Sequence, residues 1–174
     1  MCGQCLQHPP AFARCIAALQ YNCDSARLIT ALKFHARFET TTVLTHLLEQ
    51  TVRQSYSTIW PEILIPIPLH PLRLWRRGFN QTLLLARTLS KSLKIPLTTQ
   101  LLFKVRHGKP QSQLDLATRK HRMKDTFRAR PTKYKHLVLI DDVVTTGSTA
   151  EAATIALKQE GVERVDVWCV ARTF

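Results

Sequence analysis

Two adjacent carboxylates, Asp141 and Asp142, follow the apolar run Leu137–Ile140 and precede, after two valines, the turn Thr145-Thr146-Gly147-Ser148-Thr149. Acids at the end of a strand can accept hydrogen bonds from the vicinal hydroxyls of a ribose. The hydroxyls of Thr145, Thr146, Ser148 and Thr149, with the backbone N–H groups of the turn, can surround a phosphate. A helix that starts there adds partial positive charge at its N-terminus. Gly147 lets the backbone come close to an anion or take a positive φ. The combination suits a sugar phosphate. The plainer alternative is an acidic turn that caps the next helix, with Ser148 as N-cap. An N-cap and an anion site use the same donors, so the two readings are compatible.

A second group of residues is cationic. After the apolar stretch Glu62–Leu69 come His70, Arg73, Trp75, Arg76, Arg77, Gly78, Asn80 and Gln81. Guanidinium groups grip phosphate oxygens bidentately, so Arg73, Arg76, Arg77 and Gly78 form a candidate pyrophosphate site. Asn80 and Gln81 could add donors. The alternative is a basic surface loop. Trp75 is either a stacking platform or an anchor into the core, and the anchor is the expectation. A third group, Lys104, Arg106, Lys109 and Gln111, with Gln113, Arg119 and Arg122 beyond, offers cations and amides that could face an anionic ligand. It could equally be a solvated connector. His107 and His121 read as surface residues. Cys2 and Cys5 are half of a four-ligand zinc site. Cys15 and Cys23 could complete it only from within the folded domain, and Cys169 reads as a buried strand residue.

These groups need elements to carry them. A strand is expected over 13–21 and a helix over 25–37, capped by Asp24 or Ser25, with Leu28, Ile29, Leu32 and Arg37 on one face. A second helix is expected over 40–54, with Val43, Leu44, Leu47 and Leu48 inward. Glu62–Leu69 reads as a buried strand whose pairing Pro66 and Pro68 end. Residues 70–78 read as a loop. Phe79–Leu93 reads as a helix with Leu83, Leu84, Ala86, Leu89 and Leu93 inward. Then come a strand at 100–105, a polar loop at 106–115 and a short basic helix at 116–126. A central strand at 136–140, an alanine-rich helix at 149–159 closed by Gly161, and an apolar strand at 165–170 complete the chain. Alternating strands and helices imply a mostly parallel sheet covered on both faces. In such sheets, ligands lie beyond the carboxyl ends of the strands.

The chain has 174 residues, 45% of them hydrophobic, enough for one core. No apolar run approaches the roughly 20 residues needed to span a bilayer, and no secretion signal is evident. A cytoplasmic protein without membrane insertion is expected. Its five cysteines do not suggest a disulfide framework. The net charge is +13, and 15 of the 25 lysines and arginines lie between Arg73 and Arg130, with only two acids, Asp115 and Asp125. A pyrophosphate needs only a few cations, so solubility and nucleic-acid contact both remain open.

The stretch Val138-Leu-Ile-Asp-Asp-Val-Val-Thr-Thr-Gly-Ser-Thr149 resembles the phosphoribosyl pyrophosphate (PRPP) motif of type I phosphoribosyltransferases. Ile65-Pro-Ile-Pro-Leu-His-Pro-Leu-Arg-Leu-Trp-Arg-Arg-Gly-Phe-Asn-Gln81 is similar to the signature of the ComF/GntX family, as are Ala31–Arg37 and Lys109-Pro-Gln-Ser-Gln-Leu114. The resemblance runs over roughly residues 2–172. It implies a type I phosphoribosyltransferase fold over 13–174 and a partial zinc-ribbon remnant over 1–12. It implies that Asp141 and Asp142 hold the ribose hydroxyls, that Thr145–Thr149 hold the 5′-phosphate, that pyrophosphate lies at Arg73, Arg76, Arg77 and Gly78 after the first core strand, and that the stretch Lys104–Arg122 is a flexible loop that closes over the site and excludes water. It also implies Mg2+ bound with PRPP and roles in DNA uptake, competence or nucleotide salvage. Family members usually carry two Cys-x-x-Cys pairs that bind Zn2+. This chain has one, as if it began inside that module. The rival expectation is a non-enzymatic competence adaptor that binds single-stranded DNA or a DNA translocase through the 73–130 basic face.

Overall fold

The computed structural model describes residues 9–35, 38–105 and 126–173. Its elements are β1 (Arg14–Gln20), α1 (Cys23–His35), α2 (Phe38–Ser55), β2 (Ile63–Pro66), α3 (Pro71–Arg77), α4 (Gln81–Leu93), β3 (Leu102–Lys104), β4 (Phe127–Ala129), β5 (His136–Val144), α5 (Ser148–Gln159) and β6 (Arg164–Arg172). The expected loop and basic helix over 106–126 lie almost wholly outside the described residues, as do Cys2, Cys5 and Arg37.

The main sheet has the order β1-β6-β5-β2, and its three pairings are all parallel. Strands β5 and β6 are apolar on both faces because both faces are covered. On one face, Leu137, Leu139, Val165, Val167 and Cys169 pack with Ala152, Ala153 and Leu157 of α5. On the other, Val138, Ile140, Trp168 and Val170 pack with Leu44 and Leu48 of α2 and Leu85 and Leu89 of α4. A separate two-stranded antiparallel sheet pairs β3 with β4.

Several local expectations change. Residues 71–77 form helix α3 rather than a loop. His70 Nδ1 accepts from the N–H of Leu72, Pro71 sits in the first turn, and Gly78 closes the helix at φ 75°. Asn80 caps α4, so that helix starts at Gln81, and its buried face is carried by Leu85, Ala86 and Leu89. Leu83, Leu84 and Leu93 are only half-buried there. At α1 the side chain of Asn22 accepts from the N–H groups of Asp24 and Ser25, so the cap lies before both expected residues. Leu28 and Val43 face solvent while their neighbours Ile29 and Leu44 are buried. Strand β4 has no counterpart in the sequence reading. Strand β5 runs four residues past Ile140, through both acids. Gly161 closes α5 at φ 86°, as its position predicts.

Candidate functional site

The site begins where β2 ends. The last paired residues are Pro66 and Ile140, and Ile67 then donates to the carbonyl of Ile140 at 2.9 Å. Beyond this point β5 keeps its β6 neighbour as far as Val144–Arg172. Asp141 and Asp142 therefore sit on a strand paired by β6 alone, beside the departing chain of β2. Their own side chains satisfy nearby backbone donors: Asp141 Oδ1 accepts from the Asp142 N–H, and Asp142 Oδ1 from the Val143 N–H, both at 2.8 Å. Both residues are buried, at 9% and 6% exposure.

Adjacent strand residues point to opposite faces. Asp142 turns to the α4 side, where Gln81 Nε2 donates to its Oδ2 at 3.1 Å. Gln81 Oε1 in turn accepts from Arg77 Nη1 at 3.4 Å. Asp141 pairs in register with Cys169, which belongs to the α5 side. There it feels the ammonium of Lys104 in β3. Burial, with Arg73 nearby, holds Lys104 below the usual lysine range, against a smaller opposing pull from Asp141. Arg73, Lys104 and Asp141, taken from α3, β3 and β5, thus lie within electrostatic reach of one another.

The turn after β5 is open. Thr145, Thr146 and Thr149 are exposed, and Gly147 and Ser148 are half-exposed. Gly147 is the N-cap of α5 at φ 75°, ψ 0°, and offers no cap side chain; Thr146 Oγ1 accepts from the N–H of Ser148 at 3.4 Å. Ser148 is the first residue of α5 rather than its cap. Its hydroxyl lies 3.0 Å from that of Thr146. The acid in the first turn, Glu151, is drawn aside: its Oε2 accepts from the N–H of Ala11 at 2.7 Å. Phe12, buried in the core, lies beneath Gly147. A helix N-terminus capped by glycine and lined by four hydroxyl side chains is suited to an anion.

The structure therefore joins parts of three sequence constellations: Asp141, Asp142 and the Thr145–Thr149 turn; Arg73 and Arg77; and Lys104. Arg76 is exposed on α3. Arg106, Lys109 and Gln111 lie outside the described residues. Trp75 is not a core anchor. It is 84% exposed, because the short helix α3 buries none of its residues. The link from Gln81 to Asp142 crosses 61 positions, and spacing carries no signal for it. Among the described residues, no group of three or more histidines, cysteines or acids could hold a metal ion. Cys15 faces Cys169 at 3.8 Å and Cys23 is exposed. Among the described residues no helix is long and apolar enough to cross a membrane.

This arrangement, with two acids late in a parallel strand and a glycine turn opening the next helix, is that of a phosphoribosyltransferase domain. Residues 80–173 match the family described as phosphoribosyl transferase domain. The chain is 38% identical to the DNA utilization protein YhgH of Salmonella typhi, covering 99% of this chain and 78% of that protein. It is 35% identical to competence protein F of Haemophilus influenzae, covering 98% and 78%. A solved structure of the glutamine PRPP amidotransferase from B. subtilis, complexed with ADP and GMP, aligns with a TM-score of 0.50. At 16% identity over 81% of this chain and 30% of that one, it shows the fold alone. The chain belongs to the ComF/GntX family of type I phosphoribosyltransferase-fold proteins.

Proposed function

We propose that this protein binds PRPP, or a closely related sugar phosphate, at the carboxyl end of β5. The reading rests on one observation: two buried carboxylates lie at the end of β5 and a short, hydroxyl-lined glycine turn leads from there into the N-terminus of α5. In this reading, Asp141 and Asp142 accept hydrogen bonds from the ribose hydroxyls, and residues 145–149 take the 5′-phosphate. Arg73, Arg77 and Lys104 face the pyrophosphate. An Mg2+ carried on the polyphosphate would be held mainly by substrate oxygens and water, with Asp141 or Asp142 as the protein carboxylates within reach, and would offset the charge of the leaving pyrophosphate.

The chemistry this geometry suits is displacement at C1 of the ribose. The lone pair of an incoming nucleophile, such as a nitrogen base or amine, forms the new bond to C1. The electrons of the C1–O bond leave with pyrophosphate. Positive charge that develops on the ribose ring in between is stabilised by the nearby carboxylates. The test is calorimetric titration with PRPP and Mg2+, alongside pyrophosphate release across a panel of bases and amines. Binding without release leaves a PRPP sensor, and no binding at millimolar PRPP removes the reading.

A second reading is favoured by a different observation. Trp75 stands 84% exposed between Arg73 and Arg76, a pairing of ring and cations suited to single-stranded DNA. The relatives named for competence and DNA utilisation agree with it, and a DNA translocase is the corresponding protein partner. Binding of an oligonucleotide that weakens steeply with salt and ignores Asp141→Asn supports the adaptor. Binding abolished by Asp141→Asn counts against it.

A further inference from the structure

We propose that Gln81 is a positioning residue that couples the pyrophosphate half of the site to the ribose half through the line Arg77–Gln81–Asp142. The inference rests on the PRPP reading and adds to it a communication between the two ends of the ligand.

The geometry is specific to an amide. Gln81 is 4% exposed and is the first residue of α4. Its Nε2 donates to Asp142 Oδ2 at 3.1 Å while its Oε1 accepts from Arg77 Nη1 at 3.4 Å. A primary amide has a donor at one end and an acceptor at the other, so it joins a carboxylate to a guanidinium without adding charge. The other oxygen of Asp142 is held by the N–H of Val143 at 2.8 Å. The carboxylate plane is thus gripped from both sides, once by its own strand and once by Gln81.

The backbone under Gln81 is equally constrained. Asn80 Nδ2 donates to the carbonyl of Ile67 at 3.2 Å, and Thr82 Oγ1 donates to the same carbonyl at 2.8 Å. Both neighbours of Gln81 are therefore tied to the chain leaving β2. Arg77 is the last residue of α3, and the left-handed Gly78 separates it from the capped start of α4. An anion that draws the half-exposed Arg77 acts on Gln81 Oε1, and the rigid amide passes the change to Asp142. Binding at one half then alters how well the other half fits. A coupling between sites is a free energy and must be reciprocal.

Two half-ligands test this. Ribose 5-phosphate reports the acid and turn side, and pyrophosphate with Mg2+ reports the arginine side. In the wild-type chain, saturating Mg2+-pyrophosphate is expected to tighten ribose 5-phosphate by about fivefold or more, the lower end of typical couplings. In Gln81→Met both half-ligands still bind, but the factor falls to near one. Gln81→Glu keeps the size and the acceptor for Arg77 while setting a carboxylate against Asp142. It is expected to weaken ribose 5-phosphate and to lose the coupling. It serves as the second variant if Gln81→Met does not give a cooperative thermal transition. Coupling retained in either folded variant, or absent from a wild type that binds both half-ligands, overturns the inference while the PRPP reading stands. A wild type that binds neither half-ligand removes both.

Discussion

Ile67 gives its N–H to the carbonyl of Ile140, and the next residue of β5 is Asp141. The parting of two parallel strands thus leaves the buried acid pair flanked by β6 alone. Pro66 is the last residue of β2 in register with β5, and the bond from Ile67 is the final one between the two strands. The gap that opens is bordered by the carboxyl ends of both strands, where ligands of parallel sheets are found.

Asp141→Asn combined with Asp142→Asn is expected to leave the chain folded and to lose PRPP. Asparagine can still accept from the N–H groups of residues 142 and 143, so the local hydrogen bonds at 2.8 Å survive. What disappears is the acceptor for Gln81 Nε2 and the negative charge toward the ribose hydroxyls and any cation carried by the ligand. A charge-assisted hydrogen bond contributes ~1.5–3 kcal/mol, so two lost together weaken binding by a hundredfold or more. Titration calorimetry reads the affinity, and the thermal midpoint reads the fold. Affinity unchanged in a folded double variant would sink the phosphoribose site.

Gly147→Ala separates backbone strain from crowding. A Cβ at this position would meet Phe12 Cζ at 3.7 Å, an ordinary contact. The cost comes from φ 75°, a left-handed conformation that disfavours alanine by about 1–2 kcal/mol. The variant is expected to lose that much stability and also affinity for ribose 5-phosphate, because a relaxed turn re-aims the N–H groups of α5. Gly161→Ala is the control: it carries similar strain at φ 86°, at the opposite end of the helix. Its stability should fall while ribose 5-phosphate affinity stays. Equal affinity loss in both variants would point to general loosening rather than a phosphate turn.

Much of this was legible because local chemistry and tertiary role agree. Leu137–Ile140 can only be a strand buried on both faces, and Gly147 and Gly161 fall where a positive φ is needed. Other features depend on distant residues. β5 continues through Asp141 and Asp142 because β6 still pairs with it at Val144–Arg172, a fact held 28 residues away. Helix α3 was masked by Pro71 and His70, which usually punctuate loops but here form the first turn and the cap. The Leu28 and Val43 expectations failed because an apolar residue one step along a helix can fall outside the buried stripe.

Trp75→Ala bears on the same limit. Aromatic residues usually anchor a core, yet Trp75 is exposed while Trp168 is fully buried and donates to the Tyr56 hydroxyl at 3.0 Å. Removing Trp75 should change unfolding free energy by less than about 0.5 kcal/mol, as for an ordinary surface site. Truncating a buried tryptophan would instead cost about 3–5 kcal/mol. Urea denaturation distinguishes the two. If oligonucleotide binding also falls in the stable variant, Trp75 is a contact residue of the adaptor reading.

The opposite end of the sheet supplies a pH prediction. Asp166 is fully buried at the start of β6. Arg14 Nε and His136 Nε2 reach its Oδ2 at 3.0 Å, Arg164 Nε reaches Oδ1 at 3.2 Å, and the Tyr56 hydroxyl donates to Oδ2 at 2.5 Å. Burial alone would raise this carboxyl, but hydrogen bonds from Tyr56, His136, Arg164 and Arg14 outweigh it and hold it below the ordinary 3.8. Burial, then the hydrogen bond to Asp166, pushes the Tyr56 phenol well above its usual range, so it remains a donor. With the folded value depressed, the stabilisation is fully present above the unfolded value and is lost as pH falls through the folded one. Asp166→Asn is expected to cost on the order of 3 kcal/mol at pH 7, leaving cations gathered around a neutral group. The gap to the wild type should narrow once pH drops below about 3.8, where unfolding favours the protonated carboxyl. Urea midpoints for both proteins between pH 7 and pH 2 check this. A gap of constant size would assign the loss to packing, and one that widens in acid would reverse the sign argued here.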